Sequence, residues 1–302
     1  MRRKFKRLLS KDIWKRNLSV LTTKPLDPTK LDSAVKLFVP PGHFYSPIVD
    51  PSELLNMPSY EPFNGDIEID MIEMQKLLNK VAKDGQVFPV EKTEGRRYYS
   101  NNDQYAEGDA FTYSGILEEL QPQKIIEIGS GYSTAVVLDW IESRKLNQEV
   151  QVTVIEPYPD RLLSLVFDAD EFTLINRRVQ DVELNIFKTL QKNDILFIDS
   201  SHIGKSGSDV LFELFKILPV LNPGVWIHFH DCFWPFEYPE SWVKNDNRSW
   251  NELHFLRAFL SHNTNFKIKF FNHYLALHSK EWHKKLPLEI KNPGGALWIM
   301  KC

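Results

Sequence analysis

The chain has little cysteine, no long apolar run and almost no net charge, and each scarcity closes a class of function. Only Cys232 and Cys302 occur among 302 residues, too few for a disulfide framework and without the spacing of a zinc site. No uncharged apolar stretch reaches the roughly 18 residues of a membrane span, so no transmembrane helix is predicted. The first residues are basic, but no apolar core follows them as a secretory signal requires, and a cytoplasmic protein is the expectation. A net charge of −3 argues against a general nucleic-acid binder. Internal repeats and low-complexity tracts are also absent.

The near-neutral average hides an asymmetry. Residues 2–16 carry eight Lys or Arg against Asp12, a local charge of +7 that leaves about −10 on the remainder. Phe5, Leu8, Leu9 and Ile13 fall near one helical face, so this segment reads either as a solvated terminus or as a short amphipathic helix. The helical form could attach the protein peripherally to anionic lipid at the inner face of a membrane. Residues 22–66, rich in proline and turn formers, suggest an extended covering arm. Apolar spacing predicts a helix over Ile67–Asp84 and another over Ala110–Leu120, with a polar, aromatic stretch from Tyr98 to Asp109 between them. The division expected is an accessory region over 1–104 and a main domain over 105–302.

From Lys124 onward, strand and helix patterns alternate, which predicts a mostly parallel α/β sheet with right-handed crossovers. Strands are expected at 124–128, 151–155, 172–176, 194–199 and 224–230, with helices near 132–145, 159–167, 182–190 and 207–220. Trp250–His262 reads as a helix, and Phe266–Phe271 and Ala296–Met300 read as closing strands. The organising element is residues 123–134. There Ile125, Ile126 and Ile128 make a buried strand that runs into Gly129-Ser130-Gly131 and then a helix. Two glycines permit positive φ and a backbone open to a ligand at the helix's positive end. Glu127, a carboxylate inside an apolar strand, demands a hydrogen-bonding partner or a polar ligand. The string Gly-x-Gly-x-x-Thr lacks the third glycine of a dinucleotide fingerprint, which disfavours a nicotinamide-dependent oxidoreductase. At the end of the second strand, Glu156 is placed to accept the hydroxyls of a ribose. Asp181, after the third strand, reads either as an adenine contact or as a helix cap. The fourth and fifth strands end in Asp199-Ser-Ser-His202 and His228-Phe-His230-Asp231. Ligands bind outside the carboxyl ends of such strands, so Asp199, His202, His230 and Asp231 are expected to converge with the glycine turn.

Glu-x-Gly-x-Gly at 127–131 resembles the first motif of class I S-adenosylmethionine-dependent methyltransferases. From about Tyr105 to the end, the chain resembles a bacterial group of such methyltransferase-domain proteins associated with glycan-biosynthesis loci. Segments carrying the resemblance are Phe197-Ile-Asp-Ser-Ser-His202, Ser206-Gly-Ser-Asp209, His228-Phe-His-Asp231 and Phe233-Trp-Pro-Phe-Glu-Tyr-Pro239, with Phe44-Tyr-Ser-Pro47 upstream. The resemblance implies a Rossmann-like sheet of order 3-2-1-4-5-7-6 with its last strand inserted antiparallel. It also implies S-adenosylmethionine as cofactor, with Glu127, Gly129, Ser130 and Gly131 around its methionine half and Glu156 on its ribose, beside Asp181 and Asp199.

Methyl transfer from a sulfonium to a hydroxyl is an in-line displacement, which leaves the protein to position the acceptor and remove its proton. His202, His230 and Asp231 are the candidate bases. Some related enzymes hold Mg²⁺ with a carboxylate after strand four and an acidic or amide pair after strand five. Asp199 and Asp231 match two of these metal positions, while His230 stands at the third, where a hard cation prefers oxygen. Phe233, Trp234, Phe236, Tyr238, Trp242 and Trp250 follow strand five, as core cover or as a surface for a small-molecule or glycan acceptor. Methylation of an oxygen is the expected reaction, and a non-catalytic cofactor-binding or scaffold protein of the same fold is the alternative. Oligomeric state is not legible here.

Overall fold

The structure, a computed structural model, describes residues 38–50, 52–56, 66–146 and 149–302. Two compact units divide the chain, Met1–Asp50 and Pro51–Cys302. In the first, the backbone turns at Gly42, whose N–H donates to the Ile48 carbonyl at 3.0 Å. The rings of His43, Phe44 and Tyr45 pack on one another there. The basic segment 2–16 and most of the 22–66 arm lie outside the described residues.

The second unit is built on one seven-stranded sheet of order β3-β2-β1-β4-β5-β7-β6. Its strands are β1 (Lys124–Ile128), β2 (Gln151–Ile155), β3 (Thr173–Ile175), β4 (Ile195–Ile198), β5 (Trp226–Phe229), β6 (Phe266–Phe271) and β7 (Leu297–Lys301). β1 pairs in parallel with β2 and β4, which places Ile126 beside Thr153 and Leu196. β7 pairs antiparallel with both β5 and β6, as the resemblance implied.

The helices are α1 (Met71–Asp84), α2 (Glu107–Leu120), α3 (Tyr132–Arg144), α4 (Asp160–Leu165), α5 (Asp209–Phe212), α6 (Glu240–Lys244), α7 (Glu252–Leu260), α8 (Asn272–His278) and α9 (Lys280–Lys285). α1 begins four residues later than its apolar pattern suggested, because the Asp70 side chain accepts from the Glu73 N–H and caps it. α2 is buried almost all round. It packs closely on α1 because Gly115 presents no side chain to Val81, whose Cα would lie 2.9 Å from an added Cβ.

Two expected crossover helices differ from their pattern. Over 182–190 there is no α-helix, only short 3₁₀ turns at Val179–Asp181 and Phe187–Thr189. Val182, Leu184 and Ile186 alternate along that stretch rather than following a helical period. The 207–220 helix is broken into α5, a π-turn over Glu213–Ile217 and a 3₁₀ turn over Leu218–Val220. Pro219 supplies no N–H to continue an α-helix, and a π-bulge absorbs the mismatch.

Candidate active site

The carboxyl ends of β1, β2, β4 and β5 open into a cleft of about 800 Å³. Ser130, Glu156, Asp199, His202, His230 and Asp231 line it, so six residues singled out from the sequence meet in one place. Glu127, Gly129 and Gly131 shape the turn without lining the cleft. Asp181 lies apart, exposed on its 3₁₀ turn with a carboxylate oxygen 2.9 Å from Arg178 Nε.

Gly129 is glycine for a reason the sequence did not show. Its φ is +85°, and an added Cβ would lie 1.9 Å from the Asp199 carbonyl oxygen. Its N–H is already given to Ile155 at 3.1 Å, so it is not open to a ligand. The missing side chain lets the ends of β1 and β4 close together, which brings Asp199 to the glycine turn. Gly131, at φ +151°, caps α3 under the Arg161 stem, whose Cδ would be 2.9 Å from an added Cβ. Glu127 is fully buried below the turn and accepts from the Thr134 hydroxyl. Burial pushes its carboxyl up to about 8 against the opposing hydrogen bonds of Thr134 and Ser133. Glu127 therefore braces the turn from beneath.

Glu156 follows β2 half-buried, with Oε1 accepting from the Tyr158 N–H at 2.7 Å and Oε2 3.4 Å from the Ser130 hydroxyl. Burial raises its pKa. Asp199 extends the β4 ladder by donating its N–H to Ile128 at 2.8 Å. Burial pushes the Asp199 carboxyl up, but His230 and His202 outweigh it and hold the group at about 2. His202 and Asp231 adopt left-handed backbone with φ of +59° and +54°, an uncommon conformation for such residues that clusters at functional sites.

His202 is the best-anchored group in the cleft. Its Nδ1 lies 2.8 Å from Glu252 Oε2 on α7. Its carbonyl accepts the N–H groups of Asn251 and Glu252, both at 3.1 Å. Nε2 then points between Asp199 Oδ1 at 3.4 Å and Asp231 Oδ2 at 3.5 Å. Burial lowers the His202 pKa, but Asp199 and Glu252 prevail and hold it well above 6.5. His230 is raised in the same way, with Asp231 and Asp199 outweighing burial. Its Nδ1 has no hydrogen-bond partner among the described residues, and its Nε2 lies 3.4 Å from Asp231 Oδ1. His228 is buried against Phe197, with ring centroids 4.0 Å apart. Burial and then His230 hold its pKa well below 6.5, so it is a neutral core residue.

Four residues, three lining the cleft and Glu252 behind His202, were not singled out from the sequence. Glu252 stands in the first turn of a helix, where an acid reads simply as favourable to the helix dipole, and it is 50 positions from the histidine it orients. Asp109, in the first turn of α2, is hidden by the same ambiguity. It is buried, accepts from Gly295 N–H at 3.2 Å and Asn272 Nδ2 at 3.2 Å, and burial lifts its pKa to about 7. Arg161 carries no sequence signal, and Arg248 is legible only as one of the charged side chains interleaved with the aromatic stretch after strand five, a segment expected to set acceptor choice.

S-adenosylmethionine fits this cleft. Asp103, Glu107, Asp109, Glu156, Asp199 and Asp231 line it against two arginines, an acidic environment for a sulfonium. Glu156 beside Ser130 suits a ribose diol, and the α3 N-terminus stands at the turn. Magnesium does not fit. His230 brings nitrogen to the third donor position, and His202 Nε2 lies between the two carboxylates. No group of three or more His, Cys, Asp or Glu among the described residues is arranged to hold an ion.

The chain is similar to several known proteins. The family model described as "Methyltransferase domain" matches residues 126–232, from β1 to just past β5. An uncharacterised protein of Archaeoglobus fulgidus is 31% identical over 177 residues, 55% of this chain and 79% of the archaeal one. Among solved structures, an S-adenosylhomocysteine-bound methyltransferase of Podospora anserina is similar at 17% identity and a TM-score of 0.42, over 82% of this chain and 100% of that one. A methyltransferase-like protein of Thermobifida fusca is similar at 12% identity and a TM-score of 0.40, over 76% and 80%. The strand order, the glycine turn and the family match together identify a methyltransferase domain in this chain, of the class I S-adenosylmethionine-dependent kind.

Proposed function

We propose that the protein methylates a hydroxyl group of a small-molecule or glycan acceptor, with His202 as the base. The observation that carries this reading is the buried Glu252–His202 pair, which leaves Nε2 facing the cleft between Asp199 and Asp231. S-adenosylmethionine supplies the methyl group as an electrophilic sulfonium. Ser130 and Glu156 hold the cofactor at the glycine turn, and Glu127 keeps that turn in shape. Glu252 fixes the His202 ring with Nδ1 protonated, so that Nε2 is the nitrogen that takes the acceptor proton. Asp199 and Asp231 flank Nε2 and stabilise the imidazolium that results. His230, with Asp231 Oδ1 3.4 Å from its Nε2, holds Asp231 in place. The aromatic wall formed by Phe233, Trp242 and Trp250 receives the acceptor. In the same reading, residues 1–104 are accessory to the domain at 105–302, and residues 2–16 attach a cytoplasmic protein peripherally to membrane.

Calorimetric titration with S-adenosylhomocysteine tests the cofactor half of the reading. Micromolar-range binding is expected, and Glu156→Ala weakens it by about 1.5–3 kcal/mol through loss of a charged acceptor. Absence of binding to folded wild type refutes the reading. Turnover with labelled cofactor over hydroxyl, amine and carboxyl acceptors tests the oxygen assignment. Methyl transfer confined to amines or carboxylates overturns it.

A further inference from the structure

Two arginines line the cleft, Arg161 and Arg248, and the cofactor has one carboxylate. Arg161 lies over Gly131, at the turn that the cofactor's amino-acid half would occupy. Arg248 lies among the aromatic residues of the acceptor wall. Its guanidinium carbon stands 4.3 Å from the Trp242 ring centroid and 4.8 Å from that of Trp250. Its backbone N–H donates to the Trp242 carbonyl at 3.0 Å, which folds the 242–248 loop back on itself. Cation and indoles therefore form one prearranged unit.

Asp246 pairs with this arginine through a single oxygen, Oδ2, at 3.1 Å from Nε and 3.0 Å from one Nη. That pair is partly exposed and leaves the other Nη edge of the planar fork unengaged by it. Trp250 links the cation to the base, because its ring centroid lies 4.5 Å from that of His202. One acceptor of monosaccharide or small aromatic size can thus present a hydroxyl to His202, lay a ring against Trp250 and reach Arg248. An anionic substituent is repelled from the reacting end, where Asp199 and Asp231 stand.

We propose that the acceptor is anionic, a ring compound carrying a carboxylate held by Arg248 while its hydroxyl meets His202. This rests on the hydroxyl-methylation reading and narrows its substrate class.

The test uses full-length protein saturated with S-adenosylhomocysteine and a matched pair of probes, methyl β-glucuronide and methyl β-glucoside, which differ in one carboxylate. Saturation-transfer NMR titration measures each affinity. The glucuronide is expected to bind at least tenfold more tightly, and Arg248→Gln is expected to abolish the difference while leaving S-adenosylhomocysteine affinity unchanged. A parallel pair, 4-hydroxybenzoate and phenol, distinguishes an aromatic from a sugar frame by the same carboxylate criterion. Equal affinity within both pairs, or a preference that survives Arg248→Gln, overturns the proposal and leaves the methyltransferase reading standing. Failure of S-adenosylhomocysteine to bind removes both together.

Discussion

Replacing Glu252 by Gln retains the side-chain shape beside His202 Nδ1 and removes its negative charge. The two side chains are 3% and 7% exposed, so solvent and salt screen the pair little. A charge-assisted hydrogen bond of this kind contributes about 1.5–3 kcal/mol, and its loss weakens the imidazole as a proton acceptor. If that energy is expressed in the transition state, kcat falls about 10- to 100-fold. The pH profile carries a second signature. In the wild type, kcat/KM is expected to rise as His202 deprotonates, along a limb displaced above 6.5 by Asp199 and Glu252. In Glu252→Gln that limb moves toward lower pH. The linkage to stability has a definite sign: the pair's contribution is fully present below the unfolded value near 6.5 and is lost as pH rises through the raised folded value. Labelled methyl transfer from pH 5.5 to 9.5, with S-adenosylhomocysteine affinity as the control for an intact site, reads the effect. An unshifted limb with kcat within about twofold of wild type would falsify the assignment of His202 as base.

Gly129→Ala places a methyl group 1.9 Å from the Asp199 carbonyl at a φ of +85°. Left-handed strain and overpacking together cost about 2–5 kcal/mol, or roughly 5–15 °C in melting temperature. A thermal melt lowered by less than roughly 3 °C would show that β1 and β4 separate at little cost. Because no donor group among the described residues is arranged to hold a metal ion, chelation with EDTA is expected to leave turnover unchanged. Loss of activity restored by Mg²⁺ alone would refute that reading of the donor set.

Elements with strong local patterns were legible in the sequence. Ile125, Ile126 and Ile128 can be stable only in a strand covered on both faces, and the alternation from Lys124 onward fixes a parallel sheet. Convergence of Asp199, His202, His230 and Asp231 also follows from the rule that ligands sit beyond strand carboxyl ends. The purposes of Glu127 and Gly129 were not legible. From sequence, a buried acid asks for either a hydrogen-bonding partner or a polar ligand, and a glycine beside a turn suggests ligand contact. In space, one binds Thr134 and the other makes room for a carbonyl. That distinction depends on what the neighbouring strand brings, and β4 arrives some 70 residues later. Glu252 illustrates the same limit: its role exists only through a partner on another element.

The arrangement of charge in the cleft gives the proposed reaction its direction. At the glycine turn, Glu156 presents a carboxylate with no ion-pair partner among the described residues, suited to a positively charged cofactor. At the far end, Arg248 presents a cation held between indoles. Between them, His202 and His230 stand against Asp199 and Asp231, and the imidazoles hold the Asp199 carboxyl at about 2 despite its burial. Two imidazoles face two carboxylates at the centre, where His202 is the base. A cationic donor and an anionic acceptor would each be drawn to a different end, with methyl group and hydroxyl meeting between them beside His202. Loss of the sulfonium charge on transfer removes the attraction that held the donor. The acidic end then retains the spent cofactor less strongly than the one that delivered the methyl group.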